Sequence, residues 1–198
     1  QKIGIDKFNE FLNNIGILTN ISFDIDETGE TQIGRWGKCK LLTVGFGHGI
    51  ATTLLQLSKG YAIISNGGFE ISPTIIKRNN YKKGKRVLNP IVSEKLNPIL
   101  RKIVSTEEGT ASFADVKGYE IGGKTGTADI ASIGGYSKKK INTFASVFPT
   151  SNPKLALLVM LDEPKANKDF VYKYRDERQP YKGNWRNTAG WTTVWVTG

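Results

Sequence analysis

The residues with the clearest chemical potential lie between Gly118 and Ile130, in the segment GYEIGGKTGTADI. Its first eight residues fit the spacing G-x-x-x-x-G-K-[ST], in which backbone amides and a lysine hold the phosphates of a nucleotide. Its middle, Lys124-Thr125-Gly126, is a K-T-G triplet, in which the lysine serves as a carboxylate-binding and acid–base residue in acyl transfer. The surrounding elements have to decide between these two kinds of chemistry.

The nucleotide-binding interpretation has a second feature in its favour. LLVMLDE (Leu157–Glu163) resembles an apolar strand that ends in acidic residues able to hold magnesium. A phosphate-binding loop, however, needs a buried strand before its first glycine and a helix after its lysine, so that the amides and the helix dipole face the phosphates. No buried-strand run precedes Gly118, and each glycine after Lys124 would cost a helix roughly 1 kcal/mol. The context therefore argues against a nucleotide site.

The acyl-transfer interpretation predicts that Lys124 lies on a strand at the edge of an antiparallel sheet. Small residues at Gly122, Gly123 and Gly126 would let a substrate backbone lie beside that strand as an added strand. The threonine hydroxyls would then face the substrate. A Gly-rich turn that merely carries a surface lysine is the alternative, since a tripeptide recurs by chance.

Hydrophobic spacing predicts an α+β fold, with helices packed on an antiparallel sheet. Three apolar stripes with helical spacing are expected to pack in the core: Ile5, Phe8, Leu12 and Ile15; Leu54, Leu57, Tyr61 and Ile64; Leu96, Ile99, Leu100 and Ile103. Thr52 or Thr53 is expected to cap the second helix, and Ser93 the third. The polar segment 24–40 is expected to be loop.

Two apolar segments, 141–149 and 155–161, predict strands. The five residues TSNPK between them are too few for a parallel crossover, so the strands must form an antiparallel hairpin. We expect residues 119–128 to pair beside 141–149. The supposed magnesium strand is then one strand of this sheet.

Composition leaves a binding protein open as a second class. The chain has 198 residues and a net charge of +10, which suits nucleic acid or another anionic polymer. Its lysines are dispersed, and no nucleic-acid-binding motif is evident, so a solvated basic surface is expected instead. No run of 18 apolar residues occurs, so the sequence predicts no transmembrane helix within this span. Cys39 is the single cysteine, which excludes an internal disulfide, and His48 has no second histidine beside which to bind metal. We expect a structural role for His48 and neither metal nor cofactor.

Several longer segments, taken together, resemble the class B penicillin-binding proteins, which are monofunctional D,D-transpeptidases. GYEIGGKTGTA resembles the third motif region of that family, and TVGFGHGIATTLLQLSKGYAIISNGG (Thr43–Gly68) resembles its Gly-rich entry to a helix, with Thr53 where proline is usual. SVFPTSNPKLALLVMLDEP is similar to the hairpin that follows, and TAGW near the end is similar too. The division (septal) type is closer than the elongation type.

The resemblance implies a role for each residue of the motif. Lys124 would supply positive charge and help proton movement, and the hydroxyls of Thr125 and Thr127 would hold the substrate carboxylate. The Thr127 amide would form half of an oxyanion hole, and Gly126 would allow close approach. The implied fold is that of a penicillin-binding and β-lactamase-like transpeptidase domain.

The chain departs most from the family at the nucleophile, because no convincing S-x-x-K nucleophile motif or S-x-N motif is found. SKKK (Ser137–Lys140) satisfies the letters, but it follows K-T-G in a Gly-rich loop, whereas the family's serine precedes K-T-G and opens a buried helix. We therefore expect no nucleophile in this chain. Residues 1–198 are expected to be the C-terminal portion of one transpeptidase domain, incomplete at both ends and inactive alone.

The resemblance also implies partners and a location. The substrates would be peptidoglycan stem peptides ending in D-Ala-D-Ala, β-lactams would bind as mimics, and nucleic acid is not expected. Division or elongation membrane proteins would bind through regions outside this chain. The catalytic domain would face the periplasm from the bacterial inner membrane, held by an anchor that this chain does not contain.

Overall fold

The computed structural model describes residues 3–79, 83–132 and 135–165. Four α-helices are α1 (Ile5–Asn14), α2 (Lys38–Gly45), α3 (Leu54–Ser65) and α4 (Ile91–Ser105). A short 3-10 helix spans Ser112–Ala114. The strands are β1 (Gln32–Ile33), β2 (Ile50–Ala51), β3 (Gly122–Ser132), β4 (Gly135–Phe148) and β5 (Leu155–Asp162). Helices and antiparallel strands thus make up the α+β fold that the sequence predicts.

A first hydrophobic core forms around the N-terminal helices. Leu12 of α1 is buried with Ile17, Val44 and Ile63, and the last of these is fully enclosed in α3. Phe8 packs against this cluster and meets the Trp36 ring edge-on. The predicted apolar stripe of α1 is therefore a core-facing stripe, as its spacing requires.

Helix α3 begins with the cap that the sequence predicts. The Thr53 hydroxyl accepts a hydrogen bond from the Gln56 amide at 3.1 Å, and the Gln56 side chain accepts one from the Thr53 amide at 3.0 Å. This reciprocal pair satisfies amides that have no partner within the helix. Gln56 is fully buried and also donates to the Thr19 carbonyl, so the cap ties α3 to the segment after α1.

The cap predicted for α4 is wrong. The helix begins at Ile91 after Pro90, and the Ile91 amide donates to the Asn89 side chain instead. Proline suits this position because its missing N–H needs no partner there. Ser93 lies inside the helix, where its hydroxyl donates to the Ile64 carbonyl and links α4 to α3.

Two of the three predicted core stripes also contain exposed members. Ile99 in α4 is 53% exposed and Leu54 in α3 is 39% exposed. Helical spacing identifies the apolar face of a helix. How much of that face is buried depends on the elements that pack against it. In the described part of the chain these two side chains lie beyond the covered strip.

The sheet confirms the predicted hairpin. Its strand order is β3-β4-β5, and both pairings are antiparallel. Strand β3 begins at Gly122 rather than at Tyr119. A helix after Lys124 would have supported the nucleotide-binding interpretation, but strand β3 occupies that stretch. The apolar strand that resembled a magnesium strand is β5, at one edge of the sheet.

Two local predictions differ from the structure. Segment 24–40 is largely without regular structure, but it includes β1 and the start of α2. The sequence predicts a loop at Ser137–Lys140, but this segment lies in β4, because the ladder with β3 extends to the pair Ser132 and Gly135. The TAGW segment lies outside the described residues. The glycines near these segments obscured β1 and the start of β4, because each of these strands forms only by pairing with another strand.

A second core lies between α4 and the sheet. Val104 of α4 and Phe144 of β4 are buried with Ala111 and Ala114. This cluster packs α4 and the 3-10 helix against the strands that carry the K-T-G triplet.

Candidate active site

The K-T-G triplet lies on β3, which is an edge strand within the described sheet. Lys124 is opposite Ala145 of β4, and Gly126 is opposite Thr143. Because side chains alternate along a strand, Lys124 and Gly126 share one side of β3, whereas Thr125 and Thr127 share the other. The triplet thus has the edge-strand setting that the acyl-transfer interpretation predicts.

Lys124 presents its side chain to solvent. The residue is exposed, and its ammonium donates to the neighbouring Thr125 carbonyl at 2.7 Å. The three ion pairs of the described residues involve other cations, namely Arg101, Lys139 and Lys140. The charge of Lys124 therefore has no carboxylate partner in this part of the chain and is available to an anionic ligand.

Thr125 points to the interior. It is 4% exposed, and its hydroxyl donates to the Thr110 hydroxyl at 3.2 Å. A substrate carboxylate would have to replace Thr110 as the acceptor of that hydrogen. Thr110 carries no signal in the sequence, because it meets Thr125 only after α4 and the 3-10 helix have packed against the sheet.

Thr127 and its cross-strand neighbour share an unusual feature. Thr127 is opposite Asn142 of β4, and both the Thr127 Oγ1 and the Asn142 Oδ1 are buried without a hydrogen-bond partner among the described residues. A buried polar atom without a partner costs free energy and is uncommon in folded proteins. Two such atoms on neighbouring strands mark this end of the triplet as a place where hydrogen bonding is incomplete. The sequence pattern did not identify Asn142 as a site residue. Only the register of the β3–β4 pairing places it opposite Thr127.

Gly126 packs closely against its cross-strand neighbour. A Cβ at this position would lie 2.6 Å from the Thr143 Oγ1, well inside contact distance. The absence of a side chain therefore serves packing against β4, in addition to the substrate approach expected from the motif.

A cavity of about 620 Å³ borders the triplet. Its lining from the sheet consists of residues 124–128 with Ile141 and Thr143, and its lining from α3 includes Tyr61. Phe46 and His48, which follow α2, also line it, with their ring centroids 5.3 Å apart. This volume is in the range of small-molecule sites. His48, expected to have a structural role, thus borders the same cavity as Lys124.

A second cavity of about 750 Å³ lies at the β4–β5 turn and is lined by residues 150–154 among others. None of the K-T-G residues lines it. Although it is the larger of the two, the chemistry of the triplet belongs to the first cavity.

Two segments match the letters S-x-x-K without the setting of a nucleophile. Ser137–Lys140 lies within β4, where Lys140 pairs with Asp129 across the sheet. Ser151–Lys154, which sequence reasoning overlooked, lies in the turn between β4 and β5. Neither serine opens a helix, and neither lysine lies one helical turn from its serine.

Residues 3–79, 83–132 and 135–165 contain no cluster of three His, Cys, Asp or Glu side chains that could hold a metal ion. Within the same ranges, no helix has the length and apolarity needed to cross a membrane.

Comparison with protein families extends these observations. The model of the penicillin binding protein transpeptidase domain matches residues 1–178. The probable peptidoglycan D,D-transpeptidase FtsI of Caulobacter vibrioides is 30% identical over 179 residues, which are 84% of this chain and 30% of that protein. The chain thus spans about a third of the length of this curated relative.

Solved structures show the same similarity. The apo transpeptidase domain of Burkholderia pseudomallei penicillin-binding protein 3 superimposes with a TM-score of 0.74 at 28% identity, covering 80% of this chain and 50% of that one. Penicillin-binding protein 3 of Mycobacterium tuberculosis, complexed with ampicillin, gives a TM-score of 0.72 at 25% identity and covers 81% of this chain and 40% of that one.

Proposed function

The chain belongs to the penicillin binding protein transpeptidase domain family, and on that premise we propose that the complete protein is a serine-type peptidoglycan D,D-transpeptidase. It would cross-link stem peptides during cell-wall synthesis. The observation that carries this proposal is an exposed Lys124 without a carboxylate partner among the described residues, on an edge strand beside a cavity of about 620 Å³.

The proposed reaction is acyl transfer in two steps. A serine from a segment outside these 198 residues attacks the carbonyl carbon of the penultimate D-Ala, the peptide C–N bond breaks, and the terminal D-Ala leaves as an amine that takes up a proton. An amine of a neighbouring stem peptide then attacks the resulting ester, the cross-link forms, and the serine hydroxyl is restored. Division into two steps lowers the barrier of each.

Within this scheme the three residues of the triplet, and Thr127 directly after it, each have a separate task. Lys124 brings positive charge to the reacting centre and assists proton transfer, while Gly126 leaves room for the substrate backbone. The Thr127 amide donates to the developing oxyanion, which is the position where preorganised donors act most strongly. The hydroxyls of Thr125 and Thr127 bind the terminal carboxylate. The unpartnered Thr127 Oγ1 supports this assignment.

Stem peptides ending in D-Ala-D-Ala and β-lactams are the proposed ligands. The similar protein from M. tuberculosis was solved with ampicillin, which supports β-lactam binding here. The relatives named FtsI and penicillin-binding protein 3 support a role at the division septum, in line with the septal resemblance of the motifs. We further propose that the domain faces the periplasm from an inner-membrane anchor and meets division membrane proteins through other regions.

A labelling experiment tests this function. The complete protein should become covalently labelled by a fluorescent penicillin, and a peptide ending in D-Ala-D-Ala should slow that labelling, because both compete for one serine. A peptide ending in L-Ala-L-Ala is the control and should have no effect. The 198-residue chain alone should not be labelled. If the complete protein is not labelled, the proposed function is wrong.

A further inference from the structure

Strand β3 enters the sheet through a residue with an unusual backbone. Glu120 has a φ of +49°, in the left-handed region that residues with a side chain rarely adopt. Such a conformation persists only where the surrounding structure holds it in place. Its position, four residues before Lys124, makes the contacts that hold it relevant to the triplet.

The turn between β4 and β5 holds Glu120 at three points. The Thr150 amide donates to the Glu120 carbonyl at 3.0 Å, and the Thr150 hydroxyl donates to the Glu120 carboxylate at 3.0 Å. The Ser151 hydroxyl donates to the other carboxylate oxygen. The bond from Ser151, and then that from Thr150, lowers the pKa of the Glu120 carboxyl. The carboxylate is thus kept ionised and able to accept both bonds.

Arg101 of α4 holds the next residue. Its guanidinium donates from one nitrogen to the Ile121 carbonyl and to the Asp115 carboxylate, both at 2.8 Å. The second terminal nitrogen donates to the other Asp115 oxygen at 3.3 Å. A planar guanidinium can serve a carboxylate and a carbonyl at fixed angles, whereas the single ammonium of lysine cannot.

The first residue of β3, Gly122, is packed between Arg101 of α4 and Thr150 of the β4–β5 turn. A Cβ on Gly122 would lie 2.4 Å from the Thr150 Cγ2 and 2.8 Å from the Arg101 backbone nitrogen. The strand therefore starts in contact with both α4 and the β4–β5 turn. Lys124 follows two residues later on a continuous ladder with β4, so a displacement of the start would move the triplet.

We infer that Glu120 and Arg101 are positioning residues for the K-T-G strand: they fix the start of β3 between α4 and the β4–β5 turn, and thereby place Lys124 and the Thr127 amide for acyl transfer. The inference rests on the proposed function. Neither side chain belongs to the lining of the cavity at the triplet, so each acts through the backbone. Small displacements of catalytic groups are costly, because acceleration depends on their alignment with the reacting atoms.

The test uses the complete protein and separates binding from chemistry. Stopped-flow acylation with a chromogenic β-lactam yields a noncovalent Kd and a rate constant for acylation. Glu120→Ala should lower the rate constant about tenfold and change Kd less than twofold, since a misplaced oxyanion donor affects the transition state most. Glu120→Gln keeps an acceptor oxygen and should recover most of the rate. Arg101→Lys should lower the rate constant to a similar extent as Glu120→Ala, because a lysine ammonium cannot donate to both the Asp115 carboxylate and the Ile121 carbonyl in the same geometry.

Controls exclude a merely structural effect. Lys139→Gln breaks an exposed ion pair with Glu163 on the same sheet and should leave the rate constant unchanged. Ser151→Ala removes one of the three bonds to Glu120 and should lower the rate about threefold, which keeps the test valid if Glu120→Ala does not fold. Active-site titration corrects every rate for the folded fraction. An unchanged rate in Glu120→Ala or, where that variant is unfolded, in Ser151→Ala overturns the inference, while wild-type protein that never acylates overturns the proposed function instead.

Discussion

Thr125 and Thr110 are joined by a hydrogen bond of 3.2 Å between their hydroxyl oxygens, with Thr125 as the donor. Thr125 is the central residue of the K-T-G triplet, and Thr110 lies between α4 and the 3-10 helix. The hydroxyl that the motif assigns to substrate is therefore already hydrogen-bonded to Thr110, an exposed residue that precedes Ala111 of the second core. Thr125 thus has a structural role, the bond to Thr110, and a proposed role in binding the substrate carboxylate. The two roles can be tested separately.

Replacement of these threonines by valine should separate the two tasks. In the complete protein, Thr110→Val and Thr125→Val should each lower the free energy of unfolding by about 1 kcal/mol, with a coupling of about 0.5–1.5 kcal/mol in the double variant. Thr125→Val alone should also raise the noncovalent Kd for a β-lactam about tenfold, because a bond to a carboxylate is lost. Denaturant unfolding and stopped-flow binding measure these quantities. Equal Kd values for the two single variants would contradict the binding role of Thr125.

Lys124→Ala in the complete protein should slow acylation by about a hundredfold or more, since it removes a charge aimed at the reacting centre. Stability should change by about 0.5 kcal/mol or less, because the side chain is exposed and, among the described residues, its ammonium bonds only to the adjacent Thr125 carbonyl. The measurements are the acylation rate constant and thermal unfolding. Lys102→Ala, at an exposed position of α4, is the matched control. Acylation of Lys124→Ala at the wild-type rate would refute its catalytic role.

Thr127 should respond differently to the loss of its hydroxyl and the loss of its amide. Thr127→Ala should slow acylation only severalfold and should not destabilise the fold, because the buried Oγ1 has no partner among the described residues. Thr127→Pro should abolish detectable acylation, since it deletes the proposed oxyanion donor and disturbs β3. Single-turnover acylation and thermal unfolding of both variants provide the test. A comparable loss of rate in the two would show that the amide has no special role.

A paired substitution at positions 126 and 143 should distinguish packing from substrate access. Gly126→Ala should destabilise the complete protein by about 1 kcal/mol, as for mild overpacking, because the new methyl would meet the Thr143 Oγ1 at 2.6 Å. Thr143→Ala in the same protein should restore stability, since it removes that atom. Acylation should remain slow in the double variant if the substrate backbone occupies the space at Gly126. Full recovery of acylation would assign Gly126 to packing alone.

Acid should loosen the contact between Asp24 and the segment after Pro73. The Asp24 carboxylate accepts from the Thr74 hydroxyl at 2.5 Å and the Ile75 amide at 2.7 Å. These bonds, in that order, lower the pKa of Asp24 below its ordinary value of 3.8, with a further contribution from the charge of Arg78. A lowered folded-state pKa means that the stabilisation is complete above the ordinary value and is lost as pH falls through the folded-state value.

Thermal unfolding of wild type and Asp24→Asn measures this effect. The wild type should be the more stable protein at about pH 5, and the difference should shrink below about pH 3.8 as Asp24 becomes protonated. Asp26→Asn is the matched control, because it removes a neighbouring carboxylate that has no hydrogen bond within the described ranges. A difference that does not vary with pH would mean that the charge of Asp24 contributes nothing.

The sequence was sufficient for those features whose cause is local. The sequence predicted a cap for α3 at Thr52 or Thr53, and the structure has it at Thr53. The β4–β5 hairpin follows from the five residues between two apolar segments, since so short a link permits only antiparallel pairing. Glycines after Lys124 argued against a helix there, and β3 is a strand. The family resemblance also rested on short contiguous segments, which can be read from the sequence without knowledge of the fold.

Only the tertiary structure decided what depends on contacts between distant segments. Nothing near Ser93 in the sequence indicates that its hydroxyl bonds to the Ile64 carbonyl instead of capping α4. In the same way, the Thr125 bond to Thr110, the hold of Arg101 on Ile121 and the contact of Gly126 with Thr143 each join residues on different elements. Such contacts form only when burial of apolar surface has fixed the packing of helix on sheet, and no local pattern of residue types specifies that geometry in advance. The sequence by itself thus determined which residues could carry the chemistry, whereas packing determined which way each of them points.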